Sequence, residues 1–395
     1  MVFLNLLLLI LGMKNILFVS HDANRAGAQI LLLRFLKLLK NHPDFTFSIL
    51  LKESGIIEKE FEEIATTYFW KVPSNQFQNS FFKKITNKIL SKNTHEKNLL
   101  GKLANHNFDL IVSNTVTNGD LLEKLSLLNV PIFTYVHELE IGIQQYTSPL
   151  LFQKTLKFTQ LHIACAESVK ENLIKNHNVD ATKIEVLPSL LPESALNFES
   201  SKSNIISLRN KYNIPENAFL VGGMGTVDLR KGVDIFLQIA ENLKYIRDIY
   251  FLWVGGQNTE LEYKIFQIDK DRMRLEKVIF QASINNSLDF MDAFDVFLLS
   301  SREDPYPLVV LEAAILSKPI ICFDKAGGAK DFVENDCGFV VEYLNVNQVA
   351  NAIVKLKENP TLRKELGDSA KKKALERHNQ ETAFQTFIKI LNTGY

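Results

Sequence analysis

The chain has 395 residues, of which 46% are hydrophobic and 23% charged, enough to bury the cores of two ordinary α/β domains. Its 45 basic and 45 acidic residues leave no net charge, which argues against a nucleic-acid binder that must neutralise many phosphates. Three scattered cysteines, Cys165, Cys322 and Cys337, are too few for a disulfide framework or a metal cage, and they favour a reducing, cytoplasmic compartment.

The first residues form an apolar run that is shorter than a membrane span. Residues 2–11 read VFLNLLLLIL, whereas a spanning helix needs about 20 apolar residues. No basic residue precedes the run and no small-residue cleavage site follows it, which argues against a signal peptide. Because Met13 opens a segment typical of a domain start, we expect residues 1–12 to be an extension outside the fold.

Short apolar strands alternate with helical segments along the chain. In the first half the predicted strands are Asn15–Ser20, Thr46–Leu51, Asp109–Asn114, Ile132–His137, Leu161–Ala166 and Ile184–Leu187. In the second half they are Phe219–Met224, Tyr250–Val254, Val278–Phe280, Val296–Ser300, Pro319–Phe323 and Gly338–Val341. Strands that are apolar without alternation are typical of parallel sheets covered by helices, so the pattern predicts two doubly wound α/β domains.

The two series of strands are separated by Pro188–Asn204, whose Ser, Pro and Asn content is typical of a linker. We therefore expect an N-terminal domain over residues 13–190 and a C-terminal domain over residues 204–378. The tail is predicted to be helical with a break at Gly367, and residues 379–395 to pack back on the N-terminal domain. Open parallel sheets bind ligands beyond the carboxyl ends of their strands, so the segments after each strand are the candidate sites.

An acidic loop between a strand and an apolar helix is the most specific feature of the sequence. The segment Ser300–Cys322 reads SSREDPYPLVVLEAAILSKPIIC, and its helix is apolar except for Glu312. A helix that is apolar all round is buried, and a buried carboxylate needs hydrogen-bond donors. Those donors come either from a remote part of the protein or from the hydroxyl groups of a ligand.

This segment resembles the signature of the retaining glycosyltransferases of GT-B fold, glycosyltransferase family 4 (glycosyl transferases group 1). In that family two acidic residues separated by seven others flank a loop and a helix, and here Asp304 and Glu312 match them. The resemblance implies two facing Rossmann-like domains with a cleft between them. It also implies that Glu312 holds the ribose of a nucleotide-sugar donor and that Asp304 acts as a catalytic residue against the donor sugar.

The loop departs from the family in two ways. Its first acid is Asp rather than the usual Glu, and Pro305, Tyr306 and Pro307 replace the usual Gly-aromatic-Gly. Proline has no N–H group, so main-chain donors to the sugar must come from Tyr306 or Leu308. Tyr306, Pro307 and Leu308 are therefore assigned to donor binding.

A loop of glycines and cations follows the first strand of the second series. Val221–Asp234 reads VGGMGTVDLRKGVD, which lacks the third glycine of a dinucleotide-binding fingerprint. Its cations, Arg230 and Lys231, stand at a helix start, where they suit the charge of a departing diphosphate. In the family's phosphate loop Lys231 matches directly, whereas Thr226 occupies the usual arginine position, so we expect Arg230 to replace that arginine. Gly225 and Thr226 are assigned to donor binding.

Three further positions follow from the resemblance. Gly328, in AGGAKDFVE, is expected to point its N–H group at the donor, and Gly27, in SHDANRAGAQ, lies in a loop that faces the donor phosphates and the acceptor. His137 closes a strand where the family has a histidine beside the donor sugar. Without the family, a lone histidine at a strand end is more often structural, but the resemblance favours a catalytic role for His137. The case for His21 is weaker.

One basic stretch lies outside these motifs. Phe81–Lys102 contains six lysines and a single acid, interleaved with Phe81, Phe82 and other apolar residues. Such a stretch can lie on an anionic membrane at the inner face, or it can be the solvated face of an ordinary helix.

The resemblance implies transfer of a sugar from a UDP- or GDP-sugar to a sugar or lipid-linked hydroxyl acceptor, in bacterial-type polysaccharide or glycoconjugate synthesis. No metal or cofactor is expected, because no Asp-x-Asp motif stands at a strand end. Two alternatives remain: a sugar-nucleotide epimerase on the same fold, and a non-catalytic nucleotide-sugar binder, which the departures at Thr226 and Pro305 would allow.

Overall fold

The computed structural model describes residues 13–71, 84–191, 193–257, 259–284 and 286–394, with the backbone alone for residues 84–93. The chain forms two compact units. Unit 1 holds the described residues up to Pro188 together with those from Phe384 onwards, and unit 2 is Ser189–Ala383. The proposed extension at residues 1–12 and the aromatic start of Phe81–Lys102 lie outside the described residues, and so does the predicted membrane contact that depends on that start.

Unit 1 is built on a seven-stranded parallel sheet in the order β3-β2-β1-β4-β5-β6-β7. Its strands are β1 (Lys14–Ser20), β2 (Phe45–Leu51), β3 (Thr67–Phe69), β4 (Leu110–Asn114), β5 (Ile132–Val136), β6 (Leu161–Ala164) and β7 (Ile184–Val186). Its helices are α1 (Gly27–Leu39), α2 (Glu58–Glu62), α3 (Lys84–Ala104), α4 (Gly119–Leu125), α5 (Glu140–Tyr146), α6 (Pro149–Phe158) and α7 (Glu167–His177). The chain reverses its direction of winding between β1 and β4, and this reversal marks the switch point of the sheet.

Unit 2 repeats this plan with six parallel strands in the order β10-β9-β8-β11-β12-β13. Its strands are β8 (Phe219–Met224), β9 (Ile249–Val254), β10 (Val278–Gln281), β11 (Val296–Leu299), β12 (Ile320–Phe323) and β13 (Gly338–Val341). Its helices are α8 (Glu193–Leu196), α9 (Lys202–Lys211), α10 (Val233–Leu243), α11 (Glu260–Arg272), α12 (Ser287–Asp292), α13 (Leu308–Ile315), α14 (Ala329–Val333), α15 (Val346–Glu358) and α16 (Pro360–Arg377). The switch point lies between β8 and β11.

The last helix, α17 (Gln380–Leu391), begins in unit 2 and ends in unit 1. Within unit 1 the ring of Phe387 lies 4.7 Å from that of Phe35 and 6.1 Å from that of Phe18. Because Phe387 is buried and its neighbours belong to α1 and β1, the end of the chain completes the core of unit 1.

Each strand of unit 2 supplies two separate hydrophobic cores. Leu220 and Phe297 pack into one core, and their neighbours Val221 and Leu298 pack into the other. Successive side chains of a strand point to opposite faces of the sheet, so a strand that is buried on both faces is apolar at every position. This is the physical origin of the continuous apolar runs in the sequence.

The predicted fold class, with its two parallel Rossmann-like sheets, is confirmed, and the predicted strands are present with shifts of one or two residues at their ends. Only β3 was missed, because its three residues are too short a run to give a signal. The predicted helix break at Gly367 is wrong: α16 runs through it. A Cβ atom there would lie 2.0 Å from the Ser317 carbonyl oxygen, so this glycine permits close packing. The predicted linker is partly helical, since it contains α8 and the start of α9.

We expect acid to destabilise unit 1 through His162, which lies in β6 and is 3% exposed. Burial lowers the pKa of His162 from 6.5 to about 4. Because the folded-state pKa is the lower one, stability is complete above pH 6.5 and is lost as the pH falls towards 4. The free energy of unfolding should fall by about 2–3 kcal/mol between pH 7 and pH 4.5 on this account.

Urea unfolding at both pH values checks this expectation. The variant His162→Phe should show a smaller fall than the wild type, whereas His106→Phe, at an exposed histidine, should follow the wild type. An equal fall in the wild type and His162→Phe would assign the acid sensitivity to other groups.

Candidate functional site

The carboxyl ends of three neighbouring strands of unit 2 converge at its switch point. The loop after β8 reaches α10, the loop after β11 reaches α13, and the loop after β12 reaches α14. Backbone hydrogen bonds join these loops: Arg302 N–H donates to the Arg230 carbonyl at 2.8 Å, and Asp304 N–H donates to the Ala326 carbonyl at 2.5 Å. The loops therefore form one connected backbone structure around the switch point.

Two glycines permit this close approach. At Gly232, which precedes α10 with φ of 71°, a Cβ atom would lie 2.0 Å from the Ser300 carbonyl oxygen. At Gly327, with φ of 129°, a Cβ atom would lie 2.0 Å from the Asp304 carbonyl oxygen. Both positions combine a left-handed backbone with backbone contact, and a side chain at either would force the loops apart.

The loops bring together two predicted site residues that are far apart in sequence. Lys231 Nζ lies 2.5 Å from Asp304 Oδ2, and the two side chains are only 15% and 8% exposed. Ser301 Oγ also donates to Asp304 Oδ2, at 3.4 Å. Removing two charges from water has a large desolvation cost, which their attraction offsets only with good geometry and further hydrogen bonds. Lys231 and Asp304 offset this cost through their short contact and the hydrogen bond from Ser301.

The backbone of Lys231 is held by Asp228, which was not predicted to be a site residue. Asp228 is buried, and its Oδ1 accepts the Lys231 N–H at 2.6 Å. Burial raises the pKa of Asp228, opposed by the hydrogen bond from Lys231 and by the positive charges of Arg230 and Lys231. An Asp side chain that accepts a hydrogen bond from the backbone N–H three residues later is a common arrangement where a helix begins, and this spacing was the available signal.

The second predicted cation has a different environment. Arg230 is half-buried, and its Nη1 donates to the Glu303 carbonyl at 3.0 Å. The neighbouring cation Arg302 binds both carboxylate oxygens of Asp234, at 2.7 and 2.6 Å. Arg302 therefore ties the acidic loop to α10, and Arg230 contacts the main chain beside Asp304.

The other predicted donor-binding residues of unit 2 differ in their exposure and in their hydrogen bonds. Gly225, with φ of 145°, donates its N–H to the Val254 carbonyl, and the Thr226 side chain is exposed. Gly328 N–H donates to the Pro305 carbonyl at 2.9 Å, so this amide holds the acidic loop instead of pointing at a ligand as expected. Pro307 directly precedes α13, which begins at Leu308.

The expected burial of Glu312 is wrong, because this side chain is half-buried. Its helix α13 does bury most of its apolar residues, namely Val310, Leu311, Ala313, Ala314 and Ile315. An apolar helix sequence therefore did not mean that every face of α13 is buried. Glu312 keeps access to solvent, which a ligand-binding carboxylate requires.

Unit 1 has its own polar group at the carboxyl ends of β4 and β5. His137 Nε2 lies 2.8 Å from Asn114 Oδ1, and Asn114 Nδ2 donates to the Ala28 carbonyl at 3.1 Å. That second bond orients the amide, so His137 carries its proton on Nε2 and donates it to Asn114. Burial, with a smaller contribution from His21, lowers the pKa of His137 to about 3, so the ring is neutral at physiological pH.

The next residue, Glu138, is a buried carboxyl group with 7% exposure. Its Oε2 accepts the N–H groups of His137 at 2.9 Å and Val116 at 3.4 Å. Burial raises the pKa of Glu138 to about 7 in spite of these bonds. Glu138 thus titrates near neutral pH.

The remaining predicted residue of unit 1, Gly27, begins α1, and a Cβ atom there would meet nothing within 4 Å. His21 Nδ1 lies 3.4 Å from Thr115 Oγ1. The backbone of Thr115 has a φ of 71°, which is strained for a β-branched residue. Asn114, Thr115 and Glu138 were not predicted as site residues. All three lie at or just after the carboxyl ends of β4 and β5. The strand order, which the sequence does not give, shows that these ends are neighbours at or beside the switch point.

Within the described residues, no group of three or more His, Cys, Asp or Glu side chains is arranged to hold a metal ion. Among the helices that the structure describes, none is both long and apolar enough to cross a membrane.

The acidic and basic loops of unit 2 lie within the segment that matches a protein family. Residues 204–373 match the family Glycosyl transferases group 1. A poly(ribitol-phosphate) alpha-N-acetylglucosaminyltransferase of Staphylococcus aureus is 22% identical over 48% of this chain, which spans only 39% of that relative. A UDP-Gal:alpha-D-GlcNAc-diphosphoundecaprenol alpha-1,3-galactosyltransferase of Escherichia coli is 26% identical over 85% of this chain and 86% of its own length.

The whole chain also resembles solved structures. Anabaena Alr3699/HepE, determined in complex with UDP, superposes with a TM-score of 0.78 at 20% identity, covering 96% of this chain and 99% of that protein. This likeness confirms the GT-B fold.

We expect Gly327→Ala to destabilise unit 2 by roughly 2–4 kcal/mol, because the new Cβ atom would overlap the Asp304 carbonyl at a strained φ. Gly27→Ala is the matched control: with open space around it and a helical backbone, it should leave stability unchanged or slightly higher. Urea unfolding measures both variants. Equal stability of Gly327→Ala and the wild type would show that the loops can separate without loss.

Proposed function

We propose that this protein is a retaining glycosyltransferase that moves a hexosyl group from a UDP-sugar to a hydroxyl acceptor in bacterial polysaccharide or glycoconjugate synthesis. The observation that carries the proposal is the buried contact of Lys231 with Asp304 at the switch point of unit 2. It lies within the segment that matches Glycosyl transferases group 1. The choice of UDP is supported by the UDP bound to Anabaena HepE and by the UDP-galactose named for the Escherichia coli relative.

In the proposed reaction, the bond between the anomeric carbon and the diphosphate breaks and the acceptor oxygen bonds to the same carbon. The hydroxyl proton passes to the departing diphosphate, so the products are the glycoside and UDP. Negative charge grows on the diphosphate as the bond breaks, and fixed positive groups lower the energy of that state. Lys231 and Arg230 are proposed to supply this charge in place of a metal ion, together with the N-terminus of α10.

The contact with Asp304 does not prevent this role. A Lys ammonium has three N–H donors, so Lys231 can bind Asp304 and a phosphate oxygen at the same time. Asp304 then holds the ammonium at a fixed point before the donor arrives. Glu312, half-buried on the following helix, is proposed to accept hydrogen bonds from the ribose hydroxyl groups.

We assign the acceptor to unit 1. A neutral His137 with a defined tautomer can take part in hydrogen bonding to a sugar without adding a charge. The Escherichia coli relative is named for a lipid-linked sugar acceptor, a diphosphoundecaprenol, and we propose an acceptor of this kind for a cytoplasmic enzyme working at the inner face of the membrane.

Donor binding should be detectable as thermal stabilisation by one member of a panel of UDP- and GDP-sugars, because a ligand that binds only the folded protein raises its melting temperature. Glu312→Gln should then weaken binding of that donor by about 1–3 kcal/mol, since one acceptor oxygen becomes a donor. Calorimetry measures the affinity, and Glu358→Gln, on the exposed part of α15, is the control. Unchanged affinity in Glu312→Gln would remove Glu312 from the site.

Lys231→Ala should reduce kcat by about 100-fold or more and change donor affinity much less, because the charge that Lys231 meets grows in the transition state. Arg230→Ala should lower kcat in the same way, by about tenfold, if its guanidinium replaces the family's arginine. Lys330→Ala, at an exposed cation on α14, should match the wild type.

Labelled donor sugar identifies the products of that assay. Label on an acceptor supports transfer, free UDP with an altered sugar would indicate an epimerase, and binding without turnover would indicate a non-catalytic binder. Wild-type turnover in Lys231→Ala would overturn the proposed role of the ion pair.

A further inference from the structure

The middle residue of the acidic loop makes a contact that the proposed chemistry does not explain. Tyr306 Oη lies 2.6 Å from Nε2 of His378, a histidine 72 residues later in the chain. The two rings also pack together, with centroids 5.4 Å apart, and His378 packs on Phe332 at 5.9 Å. Tyr306 lies between Asp304 and Glu312, so this contact reaches the centre of the proposed donor site.

The direction of this hydrogen bond follows from the other side of the ring. His378 is 6% exposed and directly follows α16, and its Nδ1 lies 3.1 Å from the Ser189 carbonyl oxygen. A carbonyl oxygen only accepts, so Nδ1 carries the proton. Burial lowers the pKa of His378, which keeps the ring neutral at physiological pH. Nε2 is then an acceptor, and the Tyr306 hydroxyl donates to it.

The acidic loop is attached to its neighbours at several points. Pro305 and Pro307 fix their own φ angles, and the main chain is attached through the bond of Asp304 N–H to Ala326 and the bond of Gly328 N–H to Pro305. Both attachments lie at the start of the loop. The Tyr306 hydroxyl adds an attachment at the centre of the loop, through its contact with His378 Nε2. This attachment lies beside the main-chain N–H groups of Tyr306 and Leu308.

We infer that His378 is a positioning residue of the donor site. By accepting a hydrogen bond from the Tyr306 hydroxyl, it orients the Tyr306 and Leu308 N–H groups towards the sugar and the diphosphate. The inference rests on the proposed function and adds to it a residue outside the loops that form the site. A shift of the loop by about 1 Å is enough to weaken interactions that depend on orientation.

Two substitutions separate the two sides of the ring. In His378→Asn the amide nitrogen can take the place of Nδ1 and keep the bond to Ser189, but no atom reaches Tyr306. In His378→Gln the longer side chain can place its amide oxygen near the position of Nε2 and accept from Tyr306. Tyr306→Phe removes the hydroxyl while it keeps the ring packing.

The experiment measures the dissociation constants of UDP-glucose, or of the panel's best donor, and of UMP for all variants by calorimetry. His378→Asn and Tyr306→Phe should each raise the donor's dissociation constant about tenfold, and the double variant should be no weaker than either single one. His378→Gln should restore affinity to within about threefold of the wild type. UMP lacks the β-phosphate and the sugar, so its affinity should stay constant in every variant. A purely structural role of His378 would alter the melting temperature without this pattern.

Three results would count against the inference. Wild-type donor affinity in folded His378→Asn and Tyr306→Phe would restrict His378 to a structural role, and the proposed function would stand. Independent effects that multiply in the double variant would show that His378 does not act through Tyr306. If the wild-type protein binds no nucleotide sugar of the panel, the proposed function fails and the inference fails with it.

Discussion

A Cβ atom at Gly232 would lie 2.0 Å from the Ser300 carbonyl oxygen, and one at Gly327 would lie equally close to that of Asp304. The candidate site of unit 2 depends on these two approaches. They allow the loops that follow three parallel strands to exchange backbone hydrogen bonds instead of spreading into solvent. The positions of Lys231 and Asp304 are consequences of this backbone arrangement, since both side chains start from residues that the two glycines bring together.

Once the loops are joined, electrostatics explains why Lys231 and Asp304 are paired. A buried ammonium and a buried carboxylate each have a high desolvation cost, and pairing them reduces it. The two neighbouring arginines have different partners. Arg302 donates to both carboxylate oxygens of Asp234, and Arg230 donates to the main-chain carbonyl of Glu303. Lys231 binds Asp304, and the three N–H donors of its ammonium allow it to bind a further anion at the same time.

Unit 1 uses the same topology for a different chemical environment. The two residues that follow β5 carry less than a full charge near neutral pH, because burial lowers the pKa of His137 to about 3 and raises the pKa of Glu138 to about 7. Polar groups without a full charge are suited to a neutral hydroxyl acceptor, whereas the charged pair of unit 2 is suited to a diphosphate. The contrast between two similar sheets supports the proposed division of the substrates between the units.

The local sequence determined the parallel strands, since a strand buried on both faces must be apolar at each position, and it marked Lys231, Asp304 and Glu312 through short motifs. Tertiary structure decided which of these residues meet. The contact of Lys231 with Asp304 spans 73 residues and that of Tyr306 with His378 spans 72, and both arise only because strand order and helix packing bring distant segments together. For the same reason the apolar sequence of α13 did not reveal that Glu312 is half-buried, and Gly367 did not reveal that it allows two backbones to touch. Hydrophobic periodicity indicates how deeply a helix or strand is buried on average. The contact that one side chain makes depends on residues from distant parts of the chain, which the local sequence does not reveal.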